Sequence, residues 1–264
     1  MRRSGSWGAP PPHVGDDVPK YLNSPRTQLY DKSTLLFGLA EQQSLLASGA
    51  VPVIVEGPLD VLAVHIANAQ SEPPLAAVAP CGTALTSTQV DSLAKLSGSR
   101  VLVAFDADAA GARATGAAYG LLATRFTQLR AADLAAGGDP AELLQLGGCT
   151  ALCEALSRNE PLADRVLDNG LRPWADKLDN AEACVSALRE LAPSISSLRP
   201  EHVTREAARL VQRLRLEPST VTRELTDAVT ARQVNARRST SRAATGLSPD
   251  PYHRTRAHHA MSLE

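Results

Sequence analysis

"VLVAFDADAAGARA", residues 101–114, decides the reading of this chain. The run Val101 to Phe105 is apolar without period-two alternation, as expected of a strand buried on both faces. It stops at two acids, Asp106 and Asp108, and in the small-residue segment that follows only Arg113 is large. Two carboxylates about 4 Å apart repel by roughly 4 kcal/mol at an effective dielectric near 20. Acids held together at a strand end therefore call for a cation or a shared proton.

The same pattern extends outward on both sides. "VPVIVEG" (51–57), "LAAVAP" (75–80), "RVLVAF" (100–105) and "RFTQLRAADL" (125–134) read as short strands. Helices are expected over 33–48 with Ser33 as cap, 58–69, 86–96 with Thr86 as N-cap, 108–124, and onward from Pro140 at a first helical position. This alternation predicts a four-stranded parallel sheet flanked by helices. Past residue 149 no further strand is expected. "PLADRVLDNGL", "AEACVSALRELAPSI", "EHVTREAARLVQRLRL" and "PSTVTRELTDAVTARQ" read as amphipathic helices of a separate all-helical region. The expected division is a disordered lead-in at 1–19, an α/β domain with its upstream segment at 20–148, helices at 149–231, and a tail at 232–264. The tail carries six arginines against Asp250 and Glu264. It is expected to be disordered and to help hold nucleic acid, or to be plain solvated chain.

Composition sets outer bounds. The 264 residues are 44% hydrophobic and 3% aromatic with a formal charge of −1, so the core must be aliphatic and no global charge points to nucleic acid. No apolar run is long enough to span a membrane and no apolar signal core opens the chain, so a cytoplasmic protein is expected. Cys149 and Cys153 are four residues apart without a second pair at zinc-finger spacing; with Cys81 and Cys184 they read as reduced thiols.

In parallel α/β sheets ligands bind beyond the carboxyl ends of the strands. Here those ends carry acids: Glu56 with Asp60 four residues on, Asp106 with Asp108, and Asp139 in "GGDPAEL". An all-oxygen donor set suits Mg²⁺ or Mn²⁺ and not zinc. The alternative is that the acids cap helices, Asp108 first among them. Gly57 and Gly82 each follow a strand, where the backbone must turn and a ligand approach. Gly111 permits close packing of the helix that begins near Asp108.

"VIVEGPLDVLAV", "APCGTALTSTQV" and "VLVAFDADAAGARA" together resemble the TOPRIM domain, the metal-binding fold of primases, topoisomerases and some nucleases. The flanks "KYLNSPRTQLYDKSTLLFGL", "GTALT" and "GGDPAELL" resemble bacterial DnaG-type primases, and the likeness covers roughly residues 20–146. It implies Glu56, Asp106 and Asp108 as primary metal ligands and Asp60 and Asp139 as secondary acids. It implies Lys20, Tyr21, Asn23, Ser24 and Lys32, with Gly57 and Gly82, as the nucleotide and template side. The implied reaction is RNA primer synthesis on single-stranded DNA from nucleoside triphosphates with Mg²⁺ or Mn²⁺.

The chain departs from the pattern in four ways. Ala141 stands where the family has a second Asp, with Glu142 beside it; no Cys/His zinc domain and no basic N-terminal subdomain precede the domain; and Pro58 follows Glu56-Gly57. The "EGPLD" form resembles primase-like proteins of actinobacterial mobile elements. These departures imply a fragment or a split primase completed by a complementary subunit, with a helicase or relaxase as a further partner. Two other readings stay open: a TOPRIM nuclease, and a non-catalytic module that binds DNA or replication proteins.

Overall fold

The computed structural model describes residues 27, 30–68, 71–82, 84–106, 108–134 and 138–245, with side chains through 234. The sheet has six strands: β1 (Leu36–Phe37), β2 (Val51–Ile54), β3 (Leu75–Pro80), β4 (Arg100–Val103), β5 (Gln128–Ala132) and β6 (Asn159–Pro161). Their order is β1-β3-β2-β4-β5-β6. The four expected strands form its parallel centre. The expectation of a four-stranded parallel sheet is corrected at both edges, where β1 and β6 pair antiparallel with β3 and β5.

The first edge replaces much of the helix expected over 33–48. Asp31 draws Ser33 into a turn, its Oδ1 accepting from both the backbone N and Oγ of Ser33. Gly38 then takes a φ of +84°, which no helix allows, and only Gln43–Ala47 (α1) is helical. The other helices begin where their sequence marks them. α2 (Pro58–Ala67) and α5 (Pro140–Ser157) open on proline, and α3 (Ser87–Ala94) has Thr86 as N-cap in a reciprocal capping box with Gln89. α4 (Ala109–Leu122) starts at Asp108. The boundary expected at 148 falls inside α5, at a kink where Gly148 has φ +70°.

Beyond the sheet come α6 (Leu162–Leu171), a 3₁₀ turn (Arg172–Lys177), α7 (Ala181–Ile195), α8 (Pro200–Leu214) and α9 (Pro218–Thr245). Alternating strand residues serve two cores. Val53, Val55, Ala77, Ala79, Leu102 and Ala104 face α2 and α5, burying Val61, Val64, Leu152 and Leu156. Ile54, Ala76, Val78, Val101 and Val103 belong to one apolar cluster with Tyr119 and Leu122 of α4, Leu167 of α6, Leu188 of α7, Leu210 of α8 and Leu225 of α9. The C-terminal helices form the helical region expected, joined to this sheet face through α6, and their apolar cluster is continuous with its core, each fully buried leucine contributing about 1.5–3 kcal/mol. The tail expected to be disordered from Arg232 begins inside α9, which runs to Thr245; residues 246–264 lie outside the described residues. Among the described residues no helix is long and apolar enough to cross a membrane.

Candidate metal and nucleotide site

β2 and β4 are sheet neighbours, and their ladder continues one residue past β4 through Ala104 N to Ile54 O at 2.9 Å. Glu56 and Asp106 thus leave the sheet side by side, and Glu56 Oε1 accepts from Asp106 N at 3.1 Å. Asp108 caps α4, its Oδ1 accepting from Gly111 N at 2.7 Å. Asp139 caps α5, its Oδ1 accepting from Glu142 N at 2.6 Å. Asp60, in the first turn of α2, accepts from Gly57 N at 3.0 Å and from Ala141 N at 3.2 Å, tying the starts of α2 and α5 together. The capping alternative is thus realised in Asp108 and Asp139, each through one oxygen. Capping and clustering are compatible, because each helix start faces the same rim. Gly111 is required by close approach: a Cβ there would lie 2.1 Å from Asp106 O and 3.0 Å from Glu56 Oε1.

The electrostatics separate Asp106 from ordinary carboxylates. Its Oδ1 is buried with no hydrogen-bond partner. Its pKa is pushed up to about 7, first by burial and then by the charges of Glu56, Asp60, Asp139 and Asp108. Glu56 is raised too, chiefly by burial, with the Asp106 amide working against it and Asp108, Asp60 and Asp139 adding to it. The five acids singled out in the sequence therefore act on one another. Among the described residues no three His, Cys, Asp or Glu side chains stand close enough to hold one ion among them. Mg²⁺ is usually held by one or two carboxylates and completed by water and phosphate oxygens. The oxygen donors and the unpartnered Oδ1 fit such an ion.

Other expected residues are placed as follows. Gly82 follows β3, and a Cβ on it would meet Lys32 Cδ at 3.7 Å, so these two lie together. Gln89 Nε2 donates to Lys32 O at 3.0 Å and anchors that backbone. Gly57 is the N-cap of α2. Lys20, Tyr21, Asn23 and Ser24 lie outside the described residues. Glu142 is exposed and folds back over Gly138, where a Cβ would sit 2.3 Å from its Oε2; Ala141 offers only its backbone N–H, to Asp60. Among the described residues no disulfide joins Cys81, Cys149, Cys153 and Cys184, and Cys153 donates to Ala67 O.

A cleft beside Asp106 brings in residues that the sequence reading missed. Asp106, Asp108 and Thr115 line it together with Arg165, Asn169 and Arg172 from α6 and its end. Their 165/169/172 spacing marks one helical face, but a polar face on an amphipathic helix reads first as a solvated one.

Comparison with known proteins follows this geometry. Residues 53–144 match the family model described as Toprim-like, a stretch that contains all five rim acids. The chain is 38% identical over 204 residues to a DNA primase of Synechococcus elongatus, covering 74% of this chain and 29% of that protein. It is 34% identical over 203 residues to a DNA primase of Mycolicibacterium smegmatis, covering 74% and 31%. The chain is a DnaG-like TOPRIM protein. The RNA polymerase domain of the Mycobacterium tuberculosis primase DnaG superposes on this TOPRIM protein with a TM-score of 0.60 at 28% identity, over 75% of this chain and 62% of that one. A DnaG primase catalytic domain bound to single-stranded DNA gives 0.59 at 30% identity, over 78% and 64%. The DnaG-like likeness therefore runs past the TOPRIM match into the C-terminal helices. The chain spans less than a third of the length of the two curated primases.

Proposed function

We propose that this chain carries the metal-dependent nucleotidyl-transfer centre of a primase, which joins nucleoside triphosphates into RNA primers on single-stranded DNA. The observation that carries the reading is Asp106: a buried, unpartnered carboxylate oxygen amid four other acids, in a chain with the fold of primase catalytic domains. Asp106, with Glu56 beside it, would hold Mg²⁺ or Mn²⁺, and Asp108 at the same rim would complete the set with its other oxygen turned toward the ion. Asp60 and Asp139, engaged at helix starts, add the negative charge that draws the cation in. The divalent ion supplies positive charge for the phosphoryl oxygens and for the attacking 3′-hydroxyl. Lys32, beside Gly82, offers an ammonium to nucleotide phosphates, and Lys20, Tyr21, Asn23 and Ser24 are expected to extend that surface. More than two thirds of each curated primase named above is unmatched, so efficient synthesis is proposed to draw on further protein surface that positions the template, whether in the same polypeptide or in a complementary primase subunit.

The test is primer synthesis on single-stranded DNA with radiolabelled nucleoside triphosphates, with Mg²⁺ or Mn²⁺, beside a nuclease control. Short RNA products are expected, weak from these residues alone and raised when the rest of a primase polymerase domain is added. Glu56→Gln is expected to lower yield by about a thousandfold, the several kcal/mol typical of metal-stabilised charge. Cleavage of the DNA without primers would assign nuclease chemistry instead.

A further inference from the structure

The cleft between the carboxyl ends of β4 and β5 and the inner face of α6 has walls of opposite charge. Asp106 and Asp108 form one, and Arg165, Asn169 and Arg172 form the other. The second wall is mounted firmly. On the outer face of α6, Asp164 pairs with Arg205 and Arg209, and Asp168 with Arg209 and Arg213, all from α8. Arg165 is itself held by Glu160 at 2.5 Å and reaches Asp133 at 3.9 Å, which fixes it against β6 and the end of β5. Arg172 is exposed, and its Nη2 donates to Asn169 Oδ1 at 3.3 Å.

A simple anion is repelled by the acids, while Arg172 adds positive charge to the facing wall, where Arg165 is already paired with Glu160 and Asp133. The ligand complementary to both walls is an anion that arrives with a divalent cation, and guanidinium geometry suits phosphoryl oxygens above other anions. We infer that this cleft takes a phosphoryl group of a metal-bound nucleoside polyphosphate, with Arg172 as its guanidinium donor and Asn169 orienting that side chain. The inference rests on the reading of the acids as a divalent-ion site. It adds to the site a contribution from the C-terminal helices, outside the stretch that matches the Toprim-like family.

Titration calorimetry on the full chain tests it. The probes are Mn²⁺ alone, ATP with Mn²⁺, inorganic tripolyphosphate with Mn²⁺, and a single-stranded DNA oligonucleotide with Mn²⁺. The proteins are wild type, Arg172→Ala, Arg172→Lys and Asn169→Ala, each checked by thermal melting. Arg172→Ala is expected to bind ATP and tripolyphosphate about tenfold or more weakly, as for a lost charge-assisted hydrogen bond, with Mn²⁺ binding unchanged. Arg172→Lys should recover part of the loss, and Asn169→Ala should show a smaller one. Unchanged ATP affinity in Arg172→Ala beside intact Mn²⁺ binding would overturn this inference alone. A loss confined to the oligonucleotide would also overturn it, by assigning the cleft to the nucleic-acid backbone. Wild-type protein that binds no Mn²⁺ would overturn both the inference and the metal reading beneath it.

Discussion

On the face where α6 meets α8, Glu206 is fully buried, yet both of its oxygens are answered: Arg205 Nε donates to Oε1 at 2.9 Å and Arg209 Nη1 to Oε2 at 2.8 Å. At the ends of β2 and β4, Asp106 is buried in part, and its neighbours are other acids. Both places hold carboxylates out of water, which is costly without a partner. The α6–α8 network supplies the partner from its own chain and so closes on itself. Even there Asp164 is raised, by burial and then by Glu206, with Arg205 opposing. Burial works against Arg209's charge, but Asp168 and Glu206 hold its pKa above the ordinary value. On the proposed reading the rim acids take a divalent cation as their partner. The contrast then separates acids that hold the fold from acids proposed to take a ligand.

Breaking the paired region should have the largest effect on stability. Glu206→Ala leaves two guanidiniums facing a buried gap, and a loss of about 2–3 kcal/mol is expected in urea unfolding, at the low end for a broken buried pair because both arginines reach solvent. The rim should behave in the opposite sense. The folded chain holds the Asp106 proton up to about pH 7, against an ordinary value of 3.8. Between those values the folded state binds the extra proton, so stability should fall as pH rises through that window, by about 1–2 kcal/mol once solvent screening at this half-exposed group is counted. Asp106→Asn should flatten the decline in thermal melts taken from pH 4 to pH 8, and saturating Mn²⁺ should flatten it in wild type. The smallest effect sharpens the comparison by showing that pairing alone does not stabilise. Arg125 and Asp91 lie 2.7 Å apart, but their side chains are 49% and 41% exposed, and Asp91→Asn should change stability by less than about 0.5 kcal/mol in the same urea assay.

The contrast also explains what was legible in the sequence. Central strands such as Val51–Ile54 and Leu75–Pro80 are buried throughout and announce themselves as apolar runs, and the acids that follow β2 and β4, Glu56 and Asp106, stand out for the same reason. Thr86, Asp108 and Pro140 mark helix starts by local chemistry that needs no tertiary context. β1 and β6 were not legible: they have two and three residues, and "NEP" carries no apolar signal, so only the neighbouring strand makes them strands. The amphipathic faces of α6 to α9 showed that each helix packs on something but not that α6 meets the sheet while α7 to α9 pack on α6 and on one another. The arginine-rich start of the tail is poor in apolar residues, and its helical state follows from its being an extension of α9. Arg165, Asn169 and Arg172 were invisible as a site because Asp106 and Asp108, which line the same cleft, lie far back along the chain.

Mn²⁺ titration of wild type, Asp106→Asn and Asp168→Asn by calorimetry compares the two regions directly. Wild type and Asp168→Asn should bind Mn²⁺ with the same affinity, and Asp106→Asn should bind about tenfold or more weakly, because only the rim carboxylate lacks a partner of its own. Equal Mn²⁺ binding by all three proteins would contradict the assignment of the rim acids as a divalent-ion site.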